Sequence, residues 1–456
     1  MTIIPDIHTL AQYGLNFAIK KSSDFKCMEL FFGKNNYVSI EIEENSVKNS
    51  EMGSDDGVSV RVINKKGSLG FAFTNNINRI SIEDIIKVAL KMMKAGTEDS
   101  DFKDLPGKTT NYPNVKNLFD KNLKNLKIEE TLNYVEDLIR LCKEDELAIS
   151  QSANFLSNYT KSYIFNSNGL EAIEKETSCT VSSHIIVKDK ISKETSFGYD
   201  WQSERSLSKI DASNVVKNAI RKAKLNLNRI KIPTKKMPLV LTPSGTIKII
   251  LEPLASAINA ETFQYKRSFL IGKKGELIGS NCFNVEDNAL IDGAIGSAPF
   301  DGEGVPCKNK TIIEKGKFLK TGLLHNSYTA GKENIESTGN ASRNSYSSIP
   351  SIGISNFICK PGEVSKDEII NDLNEGILLD YTGDSPNITT GDFSGLILHG
   401  NLISNGEIKN ALNETMFGVN LLDLFKNIDS ISKEFDEYGS FQAPFVKIKN
   451  VQIIGI

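Results

Sequence analysis

The side chains able to do chemistry are few and mostly far apart. Four histidines, His8, His184, His325 and His399, are spread along the chain, and no two lie close enough to form a local metal motif. The six cysteines (Cys27, Cys142, Cys179, Cys282, Cys307, Cys359) contain no CxxC pair. They suggest reduced, mostly buried thiols rather than a zinc ribbon or a disulfide framework. Carboxylates gather in the loop PFDGEGVP, where Asp301 and Glu303, with Asp287 upstream, could hold a hard divalent cation. Their spacing matches no EF-hand, and Gly302 and Gly304 argue first for a tight turn. Thr338-Gly339-Asn340 reads similarly, with Gly for backbone shape and Asn for a turn hydrogen bond; the alternative is a substrate-facing role. His325 or His399 could act as a base for Ser327, Ser394 or Cys307, although nothing in the sequence joins them into a dyad.

Glu252 stands in a more telling context. In LVLTPSGTIKIILEPLASAINAETF (residues 239–263) a short strand runs into Ser244, which can cap a helix beginning at Gly245. The segment resembles a metallopeptidase zinc helix, in which Leu251, Glu252 and Ser256 would stand at the His, Glu and His of an HExxxH motif. A hydrolytic zinc needs about three protein ligands and an open position for water. Leu251 has no lone pair, Ser256 has only a neutral hydroxyl, and Glu252 lacks a metal-bound water to activate. The five-residue spacing exceeds the single turn of HExxH, so it calls for a distorted helix. Pro253 points the same way, because it removes a backbone donor and disfavours α conformation at Glu252. Taken alone, the segment reads as an amphipathic helix with Ile249, Ile250, Leu254 and Ile258 in the core.

Other segments, in order along the chain, place this helix in a family. PFDGEGVP is followed by TIIEKGKFLKTGLLHNSYTAGKE and STGNASRNSY (337–346), then by TTGDFSGLILHGNLISNGEI (389–408). The chain ends with NLLDLFKNIDSIS (420–432) and YGSFQAPFVKIKNVQIIGI (438–456). With the helix, these resemble the TldD/PmbA metallopeptidase family, and its PmbA (TldE) branch in particular, over nearly the whole length. Catalytic TldD subunits carry His, Glu and His where this chain has Leu251, Glu252 and Ser256, and add a Cys ligand near the C-terminal end. No Cys follows Cys359 here.

The resemblance implies a non-catalytic subunit of a zinc metallopeptidase complex acting on unfolded peptides. It implies no cofactor or metal held by this chain, with zinc in a TldD-like catalytic partner. The expected assembly is a heterodimer with that partner, or otherwise a homodimer. Asp301, Gly302, Glu303, Thr338, Gly339 and Asn340 then fall near the active-site groove, as candidates to face peptide or partner. Two other readings stay open: an autonomous hydrolase with a serine or cysteine nucleophile, and a homodimeric peptide-binding scaffold.

Composition fits a folded cytoplasmic protein. At 456 residues, with 39% hydrophobic and 24% charged residues, the chain can build about two to four domains with large cores. A net charge of −3, from 54 basic and 57 acidic residues, argues against a nucleic-acid surface. No apolar stretch is long enough to cross a bilayer, and the first residues lack the pattern of a secretion signal.

Periodicity predicts a helix over residues 6–21, then strands at CMELFFG, NYVSIEIEEN and VSVRVINKKGSLGFAF, with turns at Asp56-Gly57 and Lys66-Gly67. A helix capped by Ser81 and closed by Gly96 follows, then one at 128–143, strands over 148–201, and a helix after Asp211. The polar, Pro-containing stretch 226–238 marks a linker between an N-terminal domain (1–225) and a C-terminal domain (239–456). In the latter only the helix at Glu252 and residues 420–432 look clearly helical. The expected class is α+β: a mixed α/β domain followed by a largely antiparallel β domain.

Overall fold

A computed structural model describes residues 6–455. The first half forms one antiparallel sheet of six strands, alternating most closely in the later ones. These are β1 (Phe25–Glu43), β2 (Ser46–Asn64), β3 (Leu69–Thr74), β4 (Ala148–Asn166), β5 (Glu171–Lys188) and β6 (Thr195–Glu204), in the order β3-β2-β1-β4-β5-β6. One face carries Met28, Leu30, Phe32, Val58, Val60 and Val62, which pack under helices Ile7–Lys21 and Arg79–Ala95. Farther along, Phe155, Val181, Ile185 and Val187 pack under helices Ile128–Lys143 and Ala212–Leu225. Period-2 strands facing period-3.6 helices build both cores.

Two local expectations need correction. GSDDG is no turn: β1 and β2 continue past it, pairing Gly33 with Gly57 and Lys34 with Asp56. The hairpin turns instead at Glu44-Asn45, with φ of 50° and 61°, the left-handed pair that suits two tightly paired strands. Gly57 is needed for another reason, since a Cβ there would lie 2.3 Å from the Tyr346 ring packed on β2. The second helix begins at Arg79, not after Ser81, because the Asn78 carboxamide accepts the Ser81 N–H at 2.9 Å. Gly96 closes it as expected. Asp211 caps its helix by accepting the Asn214 N–H at 2.9 Å. Asp211→Ala should therefore lower stability by about 1 kcal/mol in urea denaturation, with Asp211→Asn nearly silent.

The second half forms a twelve-stranded sheet. At its centre β7 (Lys235–Leu241) lies between Phe441–Ile454, antiparallel, and Glu375–Tyr381, parallel. Phe357–Cys359 also runs parallel to Phe441–Ile454, and the other described strand-to-strand pairings of this sheet, isolated bridges aside, are antiparallel. The stretch 226–238 is no free tether: Leu227 and Ile232 are buried, Ile230 bridges Leu412, and β7 has begun by Lys235. Of 420–432 only Leu421–Lys426 is helical, because strand Ile428–Tyr438 then pairs with Phe441–Ile454. Short helices at Ser327–Glu333 and Lys366–Asn371 were also missed.

The halves are joined tightly. Arg205, just beyond β6, donates to the carbonyls of Ala294 (3.3 Å), Ile295 and Ser297 (3.2 Å), and pairs with Glu176 at 2.6 Å.

Candidate functional site

β7 delivers the chain to the helix at Glu252. Thr242, not Ser244, caps it by accepting the Gly245 N–H at 3.2 Å, with Pro243 in the first turn. Residues Ile247–Leu251 then widen into a π-turn, and the Glu252 N–H reaches back to the Ile247 carbonyl. The helix is distorted as anticipated, but by this π-turn ahead of Pro253; Glu252 itself keeps α conformation, with φ −59° and ψ −48°. Leu251 is fully buried in the C-terminal core. The Glu252 side chain is 47% exposed and lies 3.5 Å from the Lys248 ammonium. Ser256 is exposed, and its hydroxyl donates to the Glu252 carbonyl at 3.1 Å. These positions do not fit a zinc ion: one is an aliphatic chain in the core, one a hydroxyl turned to its own helix, and one a carboxylate beside an ammonium.

Glu252 borders a cavity of about 940 Å³ between the two halves. Ser244, Lys248 and Glu252 line one side; His184 from β5 and Phe197, Tyr199 and Trp201 from β6, the outermost strand of its sheet, line another. Asp380, Tyr381 and His399 come from the C-terminal sheet, and Tyr438 and Phe441 from a hairpin. Gly439 at that hairpin has φ +58°, and a Cβ there would stand 2.9 Å from Trp201, so glycine lets the hairpin meet the indole. Lys222 crosses into the cavity to bind Asp200 at 2.9 Å, and the Tyr438 hydroxyl donates to the same carboxylate at 3.0 Å. Burial opposes the Lys222 charge, yet Asp380, Tyr438 and Asp200 outweigh it and raise its pKa. Burial pushes His399 down to about 4, so its imidazole, 4.3 Å from Phe197, is neutral at pH 7.

The carboxylate loop lies elsewhere, clamped against the N-terminal sheet. Glu29 and Arg61 are directly opposed on β1 and β2, on the face away from the helices. Arg61 binds both Glu29 and Glu303 at 2.9 Å, and Arg343 binds Glu29 while donating to the Gly302 carbonyl at 2.7 Å. Glu303 also accepts the Ser327 N–H at 2.8 Å. Its burial would raise its pKa, but Arg61 and that N–H hold it below the usual range. Asp301 accepts the N–H groups of Glu303, Val305 and Ala341 at 2.9–3.0 Å. Burial, then Glu303, push its carboxyl up to about 7 against those bonds.

A parallel arrangement holds the neighbouring loop. Asp287, fully buried, pairs with Lys310 at 2.9 Å and accepts from the Asn340 amide at 2.9 Å. The Thr338 hydroxyl accepts the His325 N–H at 2.7 Å and donates to Asn340 at 2.8 Å. Gly339 has φ +72°. Side-chain cations thus pair with Asp287 (Lys310) and Glu303 (Arg61), whereas Asp301 is held by backbone N–H groups alone among the described residues. Asp301, Glu303, Gly339 and Asn340 are buried, whereas Gly302 and Thr338 are partly exposed. None of these six lines the cavity beside Glu252.

Nor, among the described residues, does Cys307, Ser327 or Ser394 hydrogen-bond to the ring of His325 or His399. The Cys307 thiol is buried, donates to the Gly339 carbonyl at 3.5 Å, and is pushed up by burial, so it is no thiolate. Buried His325 has no partner for Nδ1. His399 packs on Phe197, and Ser394 is exposed on a separate strand. Sequence reasoning missed Glu29, Arg61 and Arg343 as well as the cavity residues Lys222 and Asp380. Its available signal was a charge inside an apolar strand, as in MELFF, VSVRVI and ILLDY.

Comparison with known proteins then decides the family. Three consecutive segments match descriptions of one enzyme group: PmbA/TldA metallopeptidase domain 1 at residues 28–95, the central domain at 121–227 and the C-terminal domain at 234–455. The chain belongs to the PmbA/TldD metallopeptidase family. Among its relatives, a metalloprotease PmbA homologue of Buchnera aphidicola subsp. Acyrthosiphon pisum is 28% identical, over 94% of this chain and 93% of its own. A metalloprotease of Methanocaldococcus jannaschii is also 28% identical, over 91% and 90%. The crystal structure of TldE from Thermococcus kodakarensis superposes with a TM-score of 0.86 at 23% identity, covering 98% of this chain and all of that one. The chain thus has the α+β fold of that group. No helix among its described residues is long and apolar enough to cross a membrane.

Proposed function

We propose that this chain is the non-catalytic, PmbA/TldE-like subunit of a cytoplasmic zinc metallopeptidase complex acting on unfolded peptides. The observation that carries the reading is Leu251: a fully buried aliphatic chain stands at a ligand position, while Ser256 faces solvent on the same helix. Without two imidazoles the helix cannot fix a metal-bound water, so Glu252 has no nucleophile to activate. The zinc then belongs to a TldD-like partner. This chain contributes a wall of the peptide chamber, and strand β6 beside the cavity offers main-chain groups to an extended segment. A narrow chamber admits disordered chains and excludes folded domains.

Co-expression with a TldD-type subunit should give a complex with peptidase activity on unfolded substrates, while the isolated chain stays inactive and metal-free. About one tightly held zinc per isolated chain, found by metal analysis, would overturn the assignment.

A further inference from the structure

The cavity beside Glu252 has charges that do not cancel. Three carboxylates line it, Asp200, Glu252 and Asp380, against two ammonium groups, Lys222 and Lys248, leaving one negative charge. Asp200 is matched by Lys222 at 2.9 Å, and Lys248 lies 3.5 Å from Glu252. Asp380, at the end of strand Glu375–Tyr381, accepts the Thr242 hydroxyl at 2.6 Å and makes no direct ion pair among the described residues. The remaining walls are largely aromatic. Tyr199 and Tyr381 are 45% and 40% exposed, so both rings are open to a ligand in the cavity. Aromatic faces beside a cavity lining with one carboxylate in excess favour a cation with an apolar stem.

We propose that this cavity seats the Lys or Arg side chain of an extended peptide, its head near Asp380 and Glu252 and its stem along Tyr199 and Tyr381. The volume of about 940 Å³ has room for the side chain and its adjoining backbone. Strand β6 along one wall gives that backbone a partner, which favours a peptide over a free amine. The peptide as occupant rests on the function proposed above; the preference for a cation rests only on the cavity.

Trp201, the single tryptophan of the chain, lines the cavity and supplies the readout. The isolated chain is titrated with acetyl-Ala-Ala-Lys-Ala-Ala-amide, its norleucine and glutamate counterparts, and free spermidine, following Trp201 fluorescence and calorimetry. The lysine peptide should bind about tenfold more tightly than the norleucine peptide, and the glutamate peptide most weakly. Asp380→Asn should erase the preference for lysine over norleucine. Should that variant fail to fold, Tyr381→Leu, at a half-exposed ring, should narrow the same preference. Equal binding of lysine and norleucine peptides, no binding of either, or an unchanged preference in the folded variant would overturn the proposal. Spermidine binding as tightly as the lysine peptide would overturn the peptide as occupant. Because no catalytic partner is present, failure here leaves the co-expression result intact, and the reverse also holds.

Discussion

Arg61→Ala should destabilise the protein by about 3–5 kcal/mol, seen as a lower midpoint in urea denaturation. The guanidinium touches two carboxylates whose side chains are each 1% exposed, Glu29 from the N-terminal sheet and Glu303 from the C-terminal loop. Its removal leaves Arg343 as the remaining cation, in contact with Glu29 and not bonded to Glu303. Glu303 would then keep its charge in a buried site with only the Ser327 N–H as partner, or take up a proton. Adding Glu303→Gln to the Arg61→Ala background should recover part of the loss, because a neutral amide is less costly to bury unpaired than a carboxylate. Since the clamp spans both halves, broadened or biphasic unfolding is also expected, as the halves cease to unfold together. A shift below about 1 kcal/mol would mean that water reaches the carboxylates and that the clamp is not a dry one.

How much of this was legible in advance depended on how local each determinant is. Helix Ile128–Lys143 and the Asp211 cap follow from periodicity and one side-chain oxygen, both contained within a turn or two of chain. The Asp56-Gly57 turn failed because its glycine answers a contact with Tyr346, nearly three hundred residues away, which no local pattern encodes. The carboxylate loop was found by composition and read first as a tight turn, which the Gly304 N–H to Asp301 carbonyl bond forms, but its partners were out of sight. Asp301 and Glu303 invite a cation or a peptide when seen alone, and only the folded chain brings Arg61 to Glu303 and Arg343 to the Gly302 carbonyl between them. The cavity was invisible for the same reason: Tyr199, Lys222, Asp380 and Tyr438 come from four separate elements. The helix at Glu252 was the most readable part, because Leu251, Pro253 and Ser256 state their chemistry through residue type alone.

That helix carries the other large expected effect. Installing an HExxxH motif with Leu251→His and Ser256→His together should neither create a zinc site nor leave the fold intact. Leu251 is fully enclosed among the apolar side chains of the C-terminal core. An imidazole there loses about 1.5–3 kcal/mol of aliphatic burial and gains an unsatisfied polar group worth roughly another 1–3 kcal/mol. Single Leu251→His should thus destabilise by about 3–5 kcal/mol, while exposed Ser256→His should change stability by less than about 0.5 kcal/mol. The two new imidazoles would begin on opposite sides of the boundary between core and solvent, so convergence on one ion would require repacking the helix. Calorimetric titration of the double variant should therefore detect no zinc binding in the micromolar range. A tight, stoichiometric site accompanied by restored stability would show that this helix rotates freely enough for ligand identity alone to separate silent from catalytic members of the family, and that the enclosed position of Leu251 is a consequence of the leucine rather than a property of the fold.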